Sequence, residues 1–109
     1  MDQFIYLLHF HQKLAHAQHY MGSTDNVGRR LIDHASGRGA RLTQVLLEMG
    51  ITWTLGAVAR VTSKEQTRRV LERHAKSQHN ARRFCEICCK AAARRIPGTR
   101  SEDRKEFVE

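Results

Sequence analysis

The chain has 109 residues, enough for one modest hydrophobic core and too few for two. Its 19 Lys and Arg outweigh 11 Asp and Glu, a formal charge of +8 that points to a polyanionic partner. No segment approaches the ~20 apolar residues of a membrane span, and Asp2 stands where a secretion signal would carry positive charge, so a cytoplasmic location is the expectation.

Residues 4–10 alternate Phe4/Tyr6/Leu8/Phe10 against Ile5/Leu7/His9 and predict a strand apolar on both sides. Residues 11–16 read as a polar connection and 17–22 as a second, hairpin-paired strand. Ser23-Thr24-Asp25 offers N-caps for a helix running to about Ser36 and closed by Gly37. At 100° per residue its buried face holds Val27, Leu31, Ile32 and Ala35. Arg29 and Asp33 point outward as an i,i+4 pair, and Arg30 and His34 fall at the edge of the face, one turn apart. Such edge positions line the crease between helix and sheet, where a side chain can meet a ligand.

Leu42, Val45, Leu46 and Met49 predict a second amphipathic helix, stopped by Gly50. Ile51, Trp53 and Leu55 alternate with Thr52 and Thr54 in a third strand reaching about Val58. Ser63-Lys64-Glu65-Gln66 is a capping box that opens a third helix, with Thr67, Val70, Leu71, His74 and Ala75 inward. Residues 88–95 predict a further helix, broken by Pro97-Gly98, and the charged tail from Thr99 is expected to be disordered. The fold class is therefore α+β, a small three-stranded antiparallel sheet flanked by helices in the order β-β-α-α-β-α. Residues 1–84 form the domain and 85–109 a basic extension, partly helical and then disordered.

Charge is unevenly placed: residues 1–28 hold one cation, Lys13, and the excess accumulates from Arg29 onward. Arg38 and Arg41, in the run Gly37-Arg38-Gly39-Ala40-Arg41, and Arg69 and Lys76 on the third helix are candidates for contacting a nucleic-acid backbone.

Cys85, Cys88 and Cys89 fall within five residues, a poor disulfide framework. Cys85-Glu86-Ile87-Cys88 has half of a zinc-site spacing that His74 or His79 could complete, but there is no second Cys-x-x-Cys pair. Reduced, partly buried thiols without stoichiometric zinc are the expectation. His9, His11, His16 and His19 show metal-like spacings but are expected to be exposed hairpin residues, because no carboxylate or thiol accompanies them locally.

Ile5-Tyr6 and Tyr20-Met21-Gly22, with Arg30 and His34 ten and fourteen residues after Tyr20, resemble the GIY-YIG nuclease family over roughly residues 4–80. Phe4 replaces the glycine of its first half-motif, Met21 replaces the isoleucine of its second, and the interval between the tyrosines is longer. The resemblance implies a small stand-alone domain that hydrolyses DNA phosphodiesters with low sequence specificity, on nicked or branched forms among others. It implies Tyr6 as general base supported by Tyr20, Arg30 on the scissile phosphate, and His34 bonded to the tyrosine network or the phosphate. It further implies Glu72 as ligand of one Mg²⁺ or Mn²⁺, with Asn80 standing near the family's asparagine. The helical wheel instead sets Glu72 opposite Val70 and His74, as a surface partner of Arg68 or Lys76, and Glu65 on the same face is the substitute. Two other readings stand beside the enzyme: a non-catalytic or partner-dependent DNA-binding module on the same fold, and a zinc-binding interaction domain built on Cys85 and Cys88.

Overall fold

A strand apolar on both sides needs cover on both sides, and the order of elements supplies it. The computed structural model describes residues 2–76 and 78–107, with the backbone alone at 78–80; the side chains of His79 and Asn80 lie outside the described residues. The elements are β1 (Phe4–Leu14), β2 (Ala17–Thr24), α1 (Val27–Ala35), α2 (Arg41–Glu48), β3 (Trp53–Val61), α3 (Lys64–Lys76), a 3₁₀ segment (Gln78–Phe84), α4 (Glu86–Cys89) and β4 (Thr99–Ser101). The sheet has four strands in the order β2-β1-β3-β4, every pair antiparallel.

On one face Tyr6, Leu8, Phe10, Leu55 and Val58 pack against Val27 and Leu31 of α1 and Leu46 of α2. On the other, Ile5, Leu7, Met21, Ala57 and Ala59 pack against Val70 and Leu71 of α3 and against Ala81, Phe84, Cys85 and Ile96. Strand alternation explains the division. Between Leu7 and Leu8 the register with β3 slips by one residue, from Leu7↔Ala57 to Leu8↔Leu55, and Gly56 is left unmatched.

Several expectations are corrected. The hairpin has no six-residue connection: β1 continues to Leu14 and Leu14 pairs with Ala17, so only Ala15 and His16 turn, Ala15 at φ 54°. Asn26, not Ser23, Thr24 or Asp25, caps α1, its side chain accepting from the Arg29 N–H at 3.1 Å. On α1, Ile32 is 62% exposed although periodicity sets it on the buried face, and His34, expected at the edge of that face, is fully buried. Asp33 faces Arg30 (3.9 Å) and Arg38 (3.7 Å) instead of Arg29. Met49 is exposed, and the inward positions of α2 are Thr43 and Leu46.

The segment after 84 departs most from expectation. The predicted helix over 88–95 is reduced to α4 and a 3₁₀ turn at Lys90–Ala92. The tail is ordered onto the sheet, with Thr99–Ser101 pairing with β3, Phe107 edge-on to Phe4 at 5.8 Å, and Arg104 donating to the Leu55 carbonyl at 2.8 Å. Arg60 binds Glu102 at 2.8 Å, pairs with Asp2 and lies over the Phe4 ring. These contacts are supplied by β3 and Phe4, so the tail's own composition does not announce them.

Candidate active site

Tyr6 sits mid-strand with its ring on the α1 side of the sheet. There β1, β2 and α1 bring together four groups: the ring centroids of Tyr6 and Tyr20 are 6.3 Å apart, of Tyr6 and His34 5.7 Å, and of Tyr20 and His34 5.4 Å. The Arg30 guanidinium, one turn before His34, lies beside the Tyr6 hydroxyl. Two glycines leave the room. Gly22 pairs with Tyr6 across β1–β2, and a Cβ there would stand 2.6 Å from Tyr6 Cζ. A Cβ on Gly39 would stand 2.9 Å from His34 Cε1. The Tyr-x-Gly motif thus has a steric reason, and so does one glycine of the Gly37–Gly39 loop.

Hydrogen bonds order the protons. The Thr43 hydroxyl donates to the Ala40 carbonyl at 2.8 Å, so toward His34 it can only accept, and His34 Nδ1–H donates to it at 2.9 Å. That tautomer leaves Nε2 with a lone pair, which accepts from the Tyr6 hydroxyl at 2.6 Å. Both imidazole nitrogens are satisfied, which is why a histidine can occupy the core of α1. Thr43 was not singled out in the sequence; its signal is a small polar residue three positions before Leu46, on the inward stripe of α2.

Burial raises the Tyr6 pKa to about 12, Arg30 opposing and Tyr20 reinforcing the shift. Burial, with the charge of Arg30, lowers His34 to about 4 against a weaker pull from Asp33. At neutral pH the pair is a phenol donating to a neutral imidazole. Arg30 is pushed upward chiefly by its hydrogen bond to Tyr6 and remains a cation.

The remaining sequence candidates are placed elsewhere. Arg38 and Arg41, on or beside the loop that cradles His34, are exposed. Arg69 and Lys76 are exposed on α3, which packs on the opposite face of the sheet, and Arg69 is held by Glu65 at 2.7 Å. Glu72 is also exposed on α3, outside the tyrosine cluster and without an ion pair among the described residues. Among the described residues its predicted partners Arg68 and Lys76 do not pair with it. For a hydrated hard cation, a free carboxylate is a fitting donor, whereas the Glu65 carboxylate is already engaged.

His9 and His19 do not behave as exposed hairpin residues. They face each other across β1–β2, and His19 is only 3% exposed. His11 and His16 are exposed, as expected.

The four-stranded α+β domain thus gathers two tyrosines, an arginine and a histidine on one face of its sheet, Tyr6 and His34 buried and Tyr20 and Arg30 half-buried beside them. The class of protein comes from the family comparison: residues 3–84 match the GIY-YIG catalytic domain, and the chain belongs to that family. No curated protein and no solved structure matches the chain. Family membership brings nuclease-type activity in general and a nucleic acid as substrate.

Proposed function

We propose that this chain is a cytoplasmic endonuclease that hydrolyses DNA phosphodiester bonds with low sequence specificity, with Mg²⁺ or Mn²⁺ held at Glu72, and that residues 1–84 carry the activity with 85–109 as an extension. The observation that carries the reading is the 2.6 Å contact from the Tyr6 hydroxyl to His34 Nε2, beside the Arg30 guanidinium.

A phenol with a pKa near 12 is a poor base by itself. Coupled to a neutral imidazole it is a better one. As water attacks phosphorus, the water proton passes to the Tyr6 oxygen while the Tyr6 proton passes to His34 Nε2. The O–P bond forms as the bond to the leaving oxygen breaks; that oxygen takes its proton from solvent, and His34 then loses its extra proton to solvent, restoring the resting pair. The imidazolium so formed is costly in the empty site but is offset by the dianionic phosphorane, which also draws on Arg30. Tyr20, packed on the His34 ring, holds the donor and acceptor aligned. A divalent ion at Glu72 would add Lewis-acid stabilisation of the phosphate oxygens.

The charge of +8 supports a polyanionic substrate, and the DNA-binding module is the second reading, favoured by the high Tyr6 pKa. A supercoiled-plasmid nicking assay with Mg²⁺, Mn²⁺ or EDTA decides between them. Relaxed circles with either metal and none in EDTA are expected, and Tyr6→Phe should fall by about 10²-fold or more. DNA binding by an inert parent protein would leave the binding module.

A further inference from the structure

On the face of the sheet away from Tyr6, four donor atoms from three parts of the chain meet: His9 from β1, His19 from β2, and Cys85 and Cys88 from the turn into α4. His9 Nδ1 stands 3.5 Å from Cys85 Sγ, 3.5 Å from Cys88 Sγ and 3.2 Å from His19 Nε2. His19 Nε2 stands 3.4 Å from Cys88 Sγ, and all four atoms lie within 4.8 Å of one another.

These separations can be compared with a metal's requirements. With zinc bonds of about 2.3 Å to sulfur and 2.0–2.1 Å to nitrogen, a regular tetrahedron has N–S edges of about 3.5 Å and an N–N edge of about 3.3 Å. The three N–S contacts and the N–N contact match those edges without rearrangement. We propose that His9, His19, Cys85 and Cys88 bind one zinc ion as a closed, structural His₂Cys₂ site.

Independent features of the fold suit that assignment. Gly56, the unmatched residue of the β3 bulge, makes room for the sulfur: a Cβ there would stand 2.9 Å from Cys85 Sγ. The buried His74 of α3 lies close to His19, its Nδ1 without a hydrogen-bond partner among the described residues. Neighbouring donors are occupied elsewhere: His11 engages Thr52 and Thr54 at 2.6 Å each, and Cys89 Sγ donates to the Arg82 carbonyl at 3.3 Å.

Chemistry selects the metal. Two thiolates and two imidazoles in tetrahedral array suit zinc, and two thiolate charges neutralise Zn²⁺ at a largely buried point. Four protein ligands leave no open position, so the ion would staple the segment after Phe84 to the β1–β2 hairpin and take no part in hydrolysis. The family match ends at residue 84, and both cysteines lie just beyond it. In the sequence Cys85 and Cys88 lack a local partner set; the fold brings them to His9 and His19, 66 to 79 positions away in the chain.

The test is the metal content of the full chain purified without chelator or added metal. One equivalent of zinc per chain is expected. It should be lost in Cys88→Ser and His19→Ala and kept in Cys89→Ser. Titrating metal-stripped parent protein with Co²⁺ keeps the question open to refutation if those variants fail to fold. Thiolate-to-cobalt charge transfer and the intense d–d bands of tetrahedral cobalt should appear, saturating at one equivalent, and zinc should bleach them. Iron in place of zinc, a Cys85–Cys88 disulfide without metal, an octahedral cobalt spectrum, or equal zinc loss from Cys89→Ser would each overturn the assignment.

Discussion

Gly22 and Tyr6 face each other across β1–β2, and the phenol ring occupies the volume that any side chain at Gly22 would need. The motif glycine is thus part of the site's geometry. Gly22→Ala should overpack a closed region at a cost of about 1–3 kcal/mol and displace the Tyr6 hydroxyl from His34. Denaturant titration should show the lost stability, and plasmid nicking should fall far more than DNA affinity. Gly28→Ala on the exposed side of α1 is the control, where up to about 1 kcal/mol of stabilisation is expected from helix propensity. Equal behaviour of the two variants would remove the steric argument.

The second prediction follows from His34. Its folded-state pKa of about 4 lies below the unfolded value near 6.5, so the unfolded chain takes up the proton first. The stability this group contributes is complete above pH 6.5 and is lost as pH falls toward 4, at up to about 1.4 kcal/mol per pH unit. Urea denaturation between pH 4.5 and 7 should show that slope. Its difference from the slope of His34→Gln isolates this residue from other acid-labile groups. An unchanged slope in the variant would mean that His34 is not buried as a neutral imidazole.

The same pair sets the rate profile. If Tyr6 passes its proton to His34 within the site, both groups keep their resting protonation from about pH 6 to 9, given values near 12 and 4. Single-turnover nicking at saturating metal should then be nearly flat over that range. A free phenolate acting as base would instead give a rate rising about tenfold per pH unit. Such a rise would shift the role of His34 from proton acceptor to a merely positioning one.

Much of the site was legible because its spacing is local. Tyr20, Arg30 and His34 lie within one strand–helix unit, and the single turn between the last two is fixed by helical geometry. His34 itself was misplaced by periodicity, which counts apolar residues and cannot know that Tyr6 and Thr43 would satisfy both ring nitrogens. Ile32 is exposed as a consequence. What stayed hidden was non-local. That His9 faces His19 depends on hairpin register, and that both face Cys85 and Cys88 depends on where the chain returns after α3. Thr99–Ser101 carries no apolar alternation, so nothing in three polar residues announces a strand; the free edge of β3 makes one.

Charge predicts a further behaviour. With the cations dispersed over both faces, binding to duplex DNA should depend weakly on sequence and strongly on salt, through counterion release. Fluorescence anisotropy between low and physiological salt should give a steep linear fall of log affinity with log salt. Arg38→Ala and Arg41→Ala should each reduce the slope by about one if that exposed pair contacts phosphate. A flat profile would mean that the basic surface is not the determinant of binding.

The last prediction separates binding from chemistry at Glu72. Its carboxylate is exposed and without an ion pair among the described residues, on a helix that packs away from the tyrosine cluster. If it holds the divalent ion, Glu72→Ala or Glu72→Gln should abolish nicking and leave DNA affinity equal or slightly higher. Removing a negative charge near phosphate lessens repulsion, whereas losing the ion removes charge stabilisation in the transition state. Arg30→Ala should weaken both, because its guanidinium meets the same phosphate before and during reaction. Titrating Mg²⁺ into the Glu72 variants adds a second readout, since a weakened site recovers only at high metal and a misplaced assignment leaves the parent protein's metal dependence unchanged. If Glu72→Ala cuts as well as the parent protein, the cation is held elsewhere and Glu65 is the next carboxylate to test. That residue would first have to leave its 2.7 Å pair with Arg69, so Arg69→Ala should then raise metal affinity.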